Sequence, residues 1–209
     1  MTHIVLLGDS VFDNRVYVAP GPDVVEQVRA DLPDWRATLL AVDGATTRGA
    51  PSQVGRLPSD ATHLALSVGG NDALGHARVL EERVASVAGA VDRLASVQDQ
   101  FQTDYRAALG TVLERRLPTL ICTIYNPRFP DPVRQRLSVA ALSILNDVII
   151  RSAFEFGLPL IDLRLVCSDP RDYANAIEPS VRGGEKIAAA IASVLLRHDF
   201  GTRRTQVFW

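Results

Sequence analysis

The sequence predicts an α/β fold, a three-layer α/β/α sandwich around a five-stranded parallel sheet. Short, almost wholly apolar runs alternate with longer segments of helical periodicity, and loop residues follow each short run. Runs of this kind are typical of parallel strands that are covered by helices on both faces. Right-handed crossovers place the loops after the strands at one edge of the sheet, where ligands of such folds bind.

The strands and helices are expected in alternating order along the chain. Strands are predicted at residues 3–8, 35–42, 62–68, 118–124 and 158–163. Between them, helices are predicted at 23–32, 77–116 (one broken helix or two consecutive ones), 132–156 and 184–197. The third of these has Pro132 near its start and Gly157 just past its end, the arrangement that helices favour.

Length and composition describe one domain and limit its partners. The 209 residues divide into a domain at 1–198 and a C-terminal tail at 199–209, whose apolar end, Val207 to Trp209, is expected to dock on the domain or on a second copy in a homodimer. A net charge of −2 gives no electrostatic reason to expect nucleic acid or an anionic membrane as partner. We see no apolar run near the roughly 18–20 residues that span a bilayer. The N-terminus has no targeting pattern, so a cytoplasmic protein is expected.

The two cysteines are too few for a disulfide framework or a zinc site. Cys122 and Cys167 both follow apolar, strand-like runs, and we interpret them as two buried thiols. A disulfide between adjacent strand ends is the alternative.

Three loops on the same edge of the predicted sheet carry the chemistry. Gly8-Asp9-Ser10 closes the first strand, where a serine N–H at a turn can donate to an oxyanion; alone, the triplet would be ordinary turn or capping chemistry. Gly69-Gly70-Asn71-Asp72 closes the third strand and supplies an amide donor. Gly44, after the second strand, supplies a further N–H. Together they present a nucleophile and three donors for developing negative charge.

These motifs resemble those of the SGNH (GDSL-type) hydrolases, from the first strand to the last helix. The resemblance implies a flavodoxin-like sheet, Ser10 as nucleophile, an oxyanion hole of Ser10, Gly44 and Asn71, and no cofactor or metal. The segment Asn175-Ala176-Ile177-Glu178-Pro179 occupies the place of the family's Asp-x-x-His-Pro, so Asn175 and Glu178 replace its aspartate and histidine.

A glutamate in the position of the base needs a raised pKa to work at neutral pH, because an exposed carboxyl titrates near pH 4.3. Burial, or a nearby carboxylate such as Asp9 or Asp72, would raise the pKa of Glu178, and Asn175 is expected to tune it. His76, four residues past Asp72, is the alternative base.

The remaining histidines and polar groups are predicted to be structural. His3 and His63 begin strands at the opposite end of the sheet, and His198 ends the last helix. Asp162 is interpreted as a loop cap. Residues near the site loops that could line a pocket are Tyr125, Asn126, Phe129 and Tyr173.

The function predicted from the sequence is hydrolysis of small acyl esters through a Ser10 acyl-enzyme, since a domain of this size has little room for a large lid. One alternative is a degenerate protein of the same fold that binds an acylated or carbohydrate ligand without turning it over. Another is a nucleotide or phosphate binder, but no glycine-rich phosphate-binding motif is present.

Overall fold

A computed structural model describes residues 2–209, and its secondary structure follows the predicted alternation. The strands are β1 (His3–Gly8), β2 (Arg36–Leu39), β3 (His63–Ser67), β4 (Thr119–Cys122), β5 (Leu160–Ile161) and β6 (Val207–Phe208). The helices are α1 (Arg15–Val18), α2 (Val24–Asp31), α3 (Ala50–Val54), α4 (Gly70–His76), α5 (Val87–Leu113), α6 (Pro132–Phe156), α7 (Leu163–Val166) and α8 (Val181–Arg197). Three short 3₁₀ helices lie at Thr47–Gly49, Ala77–Glu81 and Pro170–Asp172.

The strands form one parallel sheet in the order β2-β1-β3-β4-β5-β6. This confirms the predicted parallel sheet between helical layers. The count of five strands was one short, because the C-terminal segment contributes β6, with Leu160 opposite Val207 and Ile161 opposite Phe208. The end of the predicted tail therefore docks on the same chain by backbone pairing, and Phe208 is buried while Trp209 is 77% exposed.

Two apolar cores lie on the two faces of the sheet. Along β1, Ile4 and Leu6 point into one core, and Val5 and Leu7 into the other, as the two-residue period of a strand requires. The first core packs against α2 and α8, and the second against α5 and α6. Strands apolar on both faces must be covered on both, which fixes the three-layer arrangement.

The helices differ from the predicted ones mainly at their ends. The predicted break in 77–116 is present: the 3₁₀ turn Ala77–Glu81 precedes α5, which starts after the N-cap Ser86. α6 has the predicted bounds, and Gly157 follows it with a left-handed φ of 65°. The short helices α1, α3, α4 and α7 were not predicted, because so few turns show no clear periodicity.

α6 bears on the expectation that no apolar run is long enough to span a bilayer. Among residues 2–209 it is the one helix that is long and apolar enough to cross a bilayer, with a mean hydropathy of 1.5 over 18 residues. No single run is wholly apolar, so the sequence did not draw attention to it. Its inner face, which includes Leu142, Leu145 and Ile149, is buried in the core, and 39% of the apolar window is buried. Length and composition of this kind also fit a helix that covers a sheet.

Candidate functional site

The end of β1 places Ser10 at the edge of the sheet. Gly8 has a φ of 126°, and a Cβ there would lie 1.7 Å from the Ser67 carbonyl oxygen, so only glycine fits between the two strands. The next residue, Asp9, donates its N–H to the same carbonyl at 3.0 Å. The Asp9 carbonyl then accepts from the N–H groups of Phe12 and Asp13, both at 3.1 Å. Ser10 therefore lies in a tight turn before the short α1.

Gln53 of α3 holds this turn from the side, and the sequence gave no signal of it. Its Oε1 accepts from the Gly8 N–H at 2.7 Å, and its Nε2 donates to the Gly8 carbonyl at 2.8 Å. Gln53 is 2% exposed. It thereby pairs with both backbone groups of Gly8, much as a neighbouring strand would, and the Gly8 carbonyl accepts a second bond from the Val42 N–H at 3.1 Å.

The carboxylate of Glu178 meets the Ser10 hydroxyl. The Ser10 Oγ donates to Glu178 Oε1 at 3.1 Å, and both residues are buried. Glu178 Oε2 is also buried and has no hydrogen-bond partner among residues 2–209. The pKa of Glu178 is raised to about 7, mainly by burial; the hydrogen bond from Ser10 opposes this rise, and the charge of Asp43 adds to it. The side chain thus has the reach and the proton affinity that a base for a serine needs.

The loop that carries Glu178 is held by its own backbone. Asn175 Oδ1 accepts from the N–H groups of Ile177 at 2.9 Å and Glu178 at 3.0 Å. The Ile177 carbonyl accepts from the Tyr125 hydroxyl at 2.5 Å, and the Glu178 carbonyl accepts from the Ala174 N–H at 2.8 Å. Asn175 therefore shapes the turn and has no hydrogen bond to the carboxylate that it was expected to tune.

A buried ion pair lies at the base of this loop. Asp172 is wholly buried, and its Oδ2 accepts from Lys186 Nζ at 2.6 Å. The Arg182 Nε lies 3.3 Å from Asp172 Oδ1. The Asp172 carbonyl accepts from the Ser180 N–H at 2.9 Å, two residues after Glu178. The start and the end of the glutamate loop are thereby joined to α8.

Asn71 lies in the same cleft as Ser10. Its Nδ2 donates to the Ala45 carbonyl at 3.0 Å, which leaves one of its two amide hydrogens free. The next residue, Asp72, accepts from the N–H of Thr47 at 3.0 Å and from its hydroxyl at 2.6 Å. The loop after β3 is thus tied to the loop after β2.

Of the two predicted backbone donors, one lies in the cleft and one does not. The Ser10 N–H has no acceptor among the described residues and lines the cleft. Gly44 has a φ of 78°, is exposed, and is not part of the cleft wall.

A second carboxyl group is buried beside Ser10. Asp9 is 3% exposed, lines the cleft, and its Oδ1 accepts from the Val11 N–H at 3.2 Å. The pKa of Asp9 is raised to about 7, mainly by burial; the Val11 hydrogen bond opposes this rise, and the charges of Glu178 and Asp72 add to it. Two carboxyl groups that share one low-dielectric site resist being ionised together.

Among the histidines, His76 lines the cleft at the end of α4 but makes no hydrogen bond to Ser10. His3 is buried at the start of β1, between Asp60 at 3.1 Å and Thr38 at 2.8 Å. The other two pack against aromatic rings far from the serine, His63 at the start of β3 and His198 at the end of α8.

The remaining candidates divide between the cleft and the packing around it. Tyr125 and Phe129 line the cleft. Tyr173 is buried outside it, and its hydroxyl donates to the Asn126 carbonyl at 2.7 Å. Asp162 caps α7, as predicted, by accepting from the Arg164 N–H at 3.2 Å. Cys122 and Cys167 are both free and buried, which confirms the interpretation as two thiols.

The cleft itself has a volume of about 470 Å³. It begins at the carboxyl ends of β1 and β3 and continues between α4, α5 and α6. Within residues 2–209, no group of three or more histidine, cysteine or acidic side chains is placed to hold a metal ion.

Comparisons with known proteins identify the family and agree with the fold. The model of the GDSL-like Lipase/Acylhydrolase family matches residues 6–184. The fold is similar to that of an extracellular lipase from Streptomyces rimosus, with a TM-score of 0.66, 16% identity, and coverage of 92% of this chain and 100% of that one. A lipolytic protein of the G-D-S-L family from Veillonella parvula gives a TM-score of 0.69, 18% identity, and coverage of 94% and 100%. A phospholipase A1 from Streptomyces albidoflavus gives a TM-score of 0.64 and 18% identity, with coverage of 91% of this chain and 97% of that one. No curated protein matches the chain.

Proposed function

We propose, from the premise that the chain belongs to the GDSL-like lipase/acylhydrolase family, that it is a serine ester hydrolase in which Glu178 takes the place of the usual histidine base. The observation that carries the proposal is the 3.1 Å hydrogen bond from the Ser10 hydroxyl to Glu178 Oε1. A carboxylate with a pKa of about 7 accepts a proton at neutral pH far better than an exposed glutamate does.

The reaction proceeds by way of an acyl-enzyme. Ser10 Oγ attacks the ester carbonyl carbon while its proton passes to Glu178 Oε1. The negative charge on the carbonyl oxygen is held by the Ser10 N–H and the free amide hydrogen of Asn71. As the bond to the alcohol breaks, protonated Glu178 returns the proton to the leaving oxygen, and alcohol departs.

Water then completes the cycle. Glu178 accepts a proton from the water that attacks the acyl carbon, and the collapse of the second tetrahedral intermediate releases the acid and restores the Ser10 hydroxyl. The unpartnered Oε2 of Glu178 gives the carboxylate a second acceptor with which to orient this water. Gly44 was predicted as the third oxyanion donor. Its N–H would reach the oxyanion only if its exposed loop turned toward the cleft.

The alternative is a ligand-binding protein without turnover, and one observation favours it. Asn71 already uses one amide hydrogen on the Ala45 carbonyl, and Gly44 lies outside the cleft, so fewer donors face the oxyanion than the resemblance implies. Loss of a single oxyanion donor costs about 10²–10³ in kcat. An acylated ligand would then bind and remain intact.

The deciding measurement is the pH dependence of nitrophenyl butyrate hydrolysis by the native protein, Ser10→Ala and Glu178→Gln. We expect kcat/KM to rise with pH through about 7, because the base must lose its proton, and both variants to lose roughly 10³-fold or more. Glu185→Gln, on the exposed side of α8, is the matched control and keeps the native profile.

Two results would go against the proposal. A rising limb that survives in Glu178→Gln would show that another group of the cleft, Asp9 or His76, sets the pH dependence in place of Glu178. No Ser10-dependent rate at any pH would favour the ligand-binding alternative.

A further inference from the structure

The cleft that contains Ser10 extends well past the reacting groups. Phe101 of α5 packs against Gly69 at the end of β3, and the cleft residues Val97 and Leu94 lie one and two turns earlier on the same helix. The wall therefore leads away from the sheet along α5. A volume of about 470 Å³ lies in the range of pockets that enclose ligands much larger than an acetyl group.

α6 forms a second wall that runs in parallel. Val133, Leu137, Ala141 and Leu145 recur every fourth residue and all line the cleft. Twelve residues of helix extend over about 18 Å, so one apolar stripe follows the cleft for that length. Asp131 and Arg134, at the start of α6, and Ser138 also line the cleft beside this stripe.

The outer part of these walls lacks an apolar partner. Leu74 of α4, Val133 and Leu137 are 41%, 54% and 41% exposed, and all three face the cleft. Apolar side chains that share one groove and stay open to water gain free energy when an apolar ligand covers them. The groove is continuous with the site of Ser10, which identifies its occupant as part of the substrate.

We propose that the cleft binds the acyl chain of a medium- or long-chain ester, on the order of ten carbons, with the ester carbonyl at Ser10. The acyl chain of the substrate lies between the apolar stripes of α5 and α6. This deepens the proposed function and rests on it. It also replaces the expectation of small acyl esters, which came from domain size alone and took no account of the space between these helices.

The test is a series of nitrophenyl esters from acetate to decanoate, each below its critical micelle concentration. Burial of one methylene group contributes a factor of about three to four, so kcat/KM should rise by at least 30-fold, as an order of magnitude, from butyrate to decanoate. A steady fall from acetate onward would overturn the proposal.

A matched pair of variants tests where the acyl chain binds. Ala141 is half-buried and lines the cleft, whereas its neighbour Ala140 is exposed and does not. Ala141→Phe should lower the decanoate-to-butyrate ratio by roughly tenfold because the ring fills the groove. Ala140→Phe should keep the native ratio. Equal ratios in the two variants would place the acyl chain elsewhere.

If Ala141→Phe fails to fold, Leu74→Ser replaces it as the test, because Leu74 is exposed and an exposed position tolerates the change. It removes an apolar contact from the opposite wall and should lower the same ratio. An unchanged ratio would count against the proposal.

A measurement of fatty-acid binding distinguishes a failure of this inference from a failure of the proposed function. If no ester shows Ser10-dependent hydrolysis, the proposed function falls, and calorimetric titration of Ser10→Ala with laurate and acetate decides the inference. Laurate binding that Ala141→Phe weakens, with no acetate binding, would support the acyl cleft. No laurate binding would overturn it.

Discussion

Gln53 and Gly8 form a reciprocal pair at the end of β1, with hydrogen bonds of 2.7 and 2.8 Å in opposite directions. Gly8 cannot be replaced, because any Cβ would collide with the Ser67 carbonyl. The residue that follows Asp9 is Ser10, the proposed nucleophile. A glutamine 43 residues after Ser10 therefore fixes the backbone from which the serine projects.

Gln53→Ala should destabilise the protein by roughly 1–3 kcal/mol, because it leaves the buried Gly8 N–H without a partner and the Gly8 carbonyl with only the Val42 N–H at 3.1 Å. Urea unfolding measures the loss. Gln102→Ala on the exposed side of α5 is the matched control and should stay within about 0.5 kcal/mol of the native value. If the two variants were equally stable, water would be satisfying Gly8 in place of Gln53.

Asn71→Ala should lower kcat by about 10²–10³ and change KM little, because the amide acts on charge that develops only in the transition state. Steady-state kinetics on one ester separate the two constants. The variant also loses the bond to Ala45, so unfolding is measured in parallel. A change confined to KM would show that the amide binds substrate and does not stabilise the oxyanion.

How far the sequence predicts this site depends on distance along the chain. Ser10, Asn71 and Glu178 were found because each belongs to a short motif beside a strand end or a helix start, and local pattern suffices for that. The direct contact between Ser10 and Glu178 joins residues 168 positions apart. It was proposed only through the resemblance to a family.

Features that depend on tertiary packing were missed. Gln53 sits in a five-residue helix with no periodicity to mark it. β6 has two residues, too few for a strand pattern, and forms because β5 offers a free edge. The exposed position of Gly44 was not predicted either. The sequence marks this glycine as a candidate donor, but it does not determine the path of the loop that carries it. The length of the acyl cleft arises from the relative positions of α4, α5 and α6, which no local pattern encodes.

Asp9→Asn should flatten the dependence of stability on pH. The pKa of Asp9 in the folded protein is raised to about 7, so the folded state holds a proton that the unfolded chain has lost above about pH 4. Stability from this group is complete below that pH and is lost as pH rises through about 7. Between pH 5 and 8 the native protein should lose roughly 2–3 kcal/mol more than Asp9→Asn.

Urea unfolding at pH 5, 6, 7 and 8 checks this, and asparagine keeps an acceptor for the Val11 N–H. Asp92→Asn on the exposed side of α5 is the control and should follow the native curve. Parallel curves for native and Asp9→Asn would show that Asp9 is ionised throughout this range.

Lys186, the only lysine of the sequence, should be needed for both stability and activity. Lys186→Met leaves the wholly buried Asp172 with the Asp169 N–H at 2.9 Å and, as its counter-charge, only the more distant Arg182, at a cost of about 3 kcal/mol. Because Asp172 also holds the end of the Glu178 loop through Ser180, kcat should fall more than stability alone explains.

A double variant distinguishes a lost ion pair from lost packing. Asp172→Asn together with Lys186→Met removes both charges, so most of the unfolding free energy should return, and the cycle should give a coupling of about 1–3 kcal/mol. Recovery of kcat in the double variant would mean that the buried charge had displaced the loop. Additive losses would mean that Lys186 acts through its aliphatic stem, and that the glutamate loop keeps its place without the ion pair.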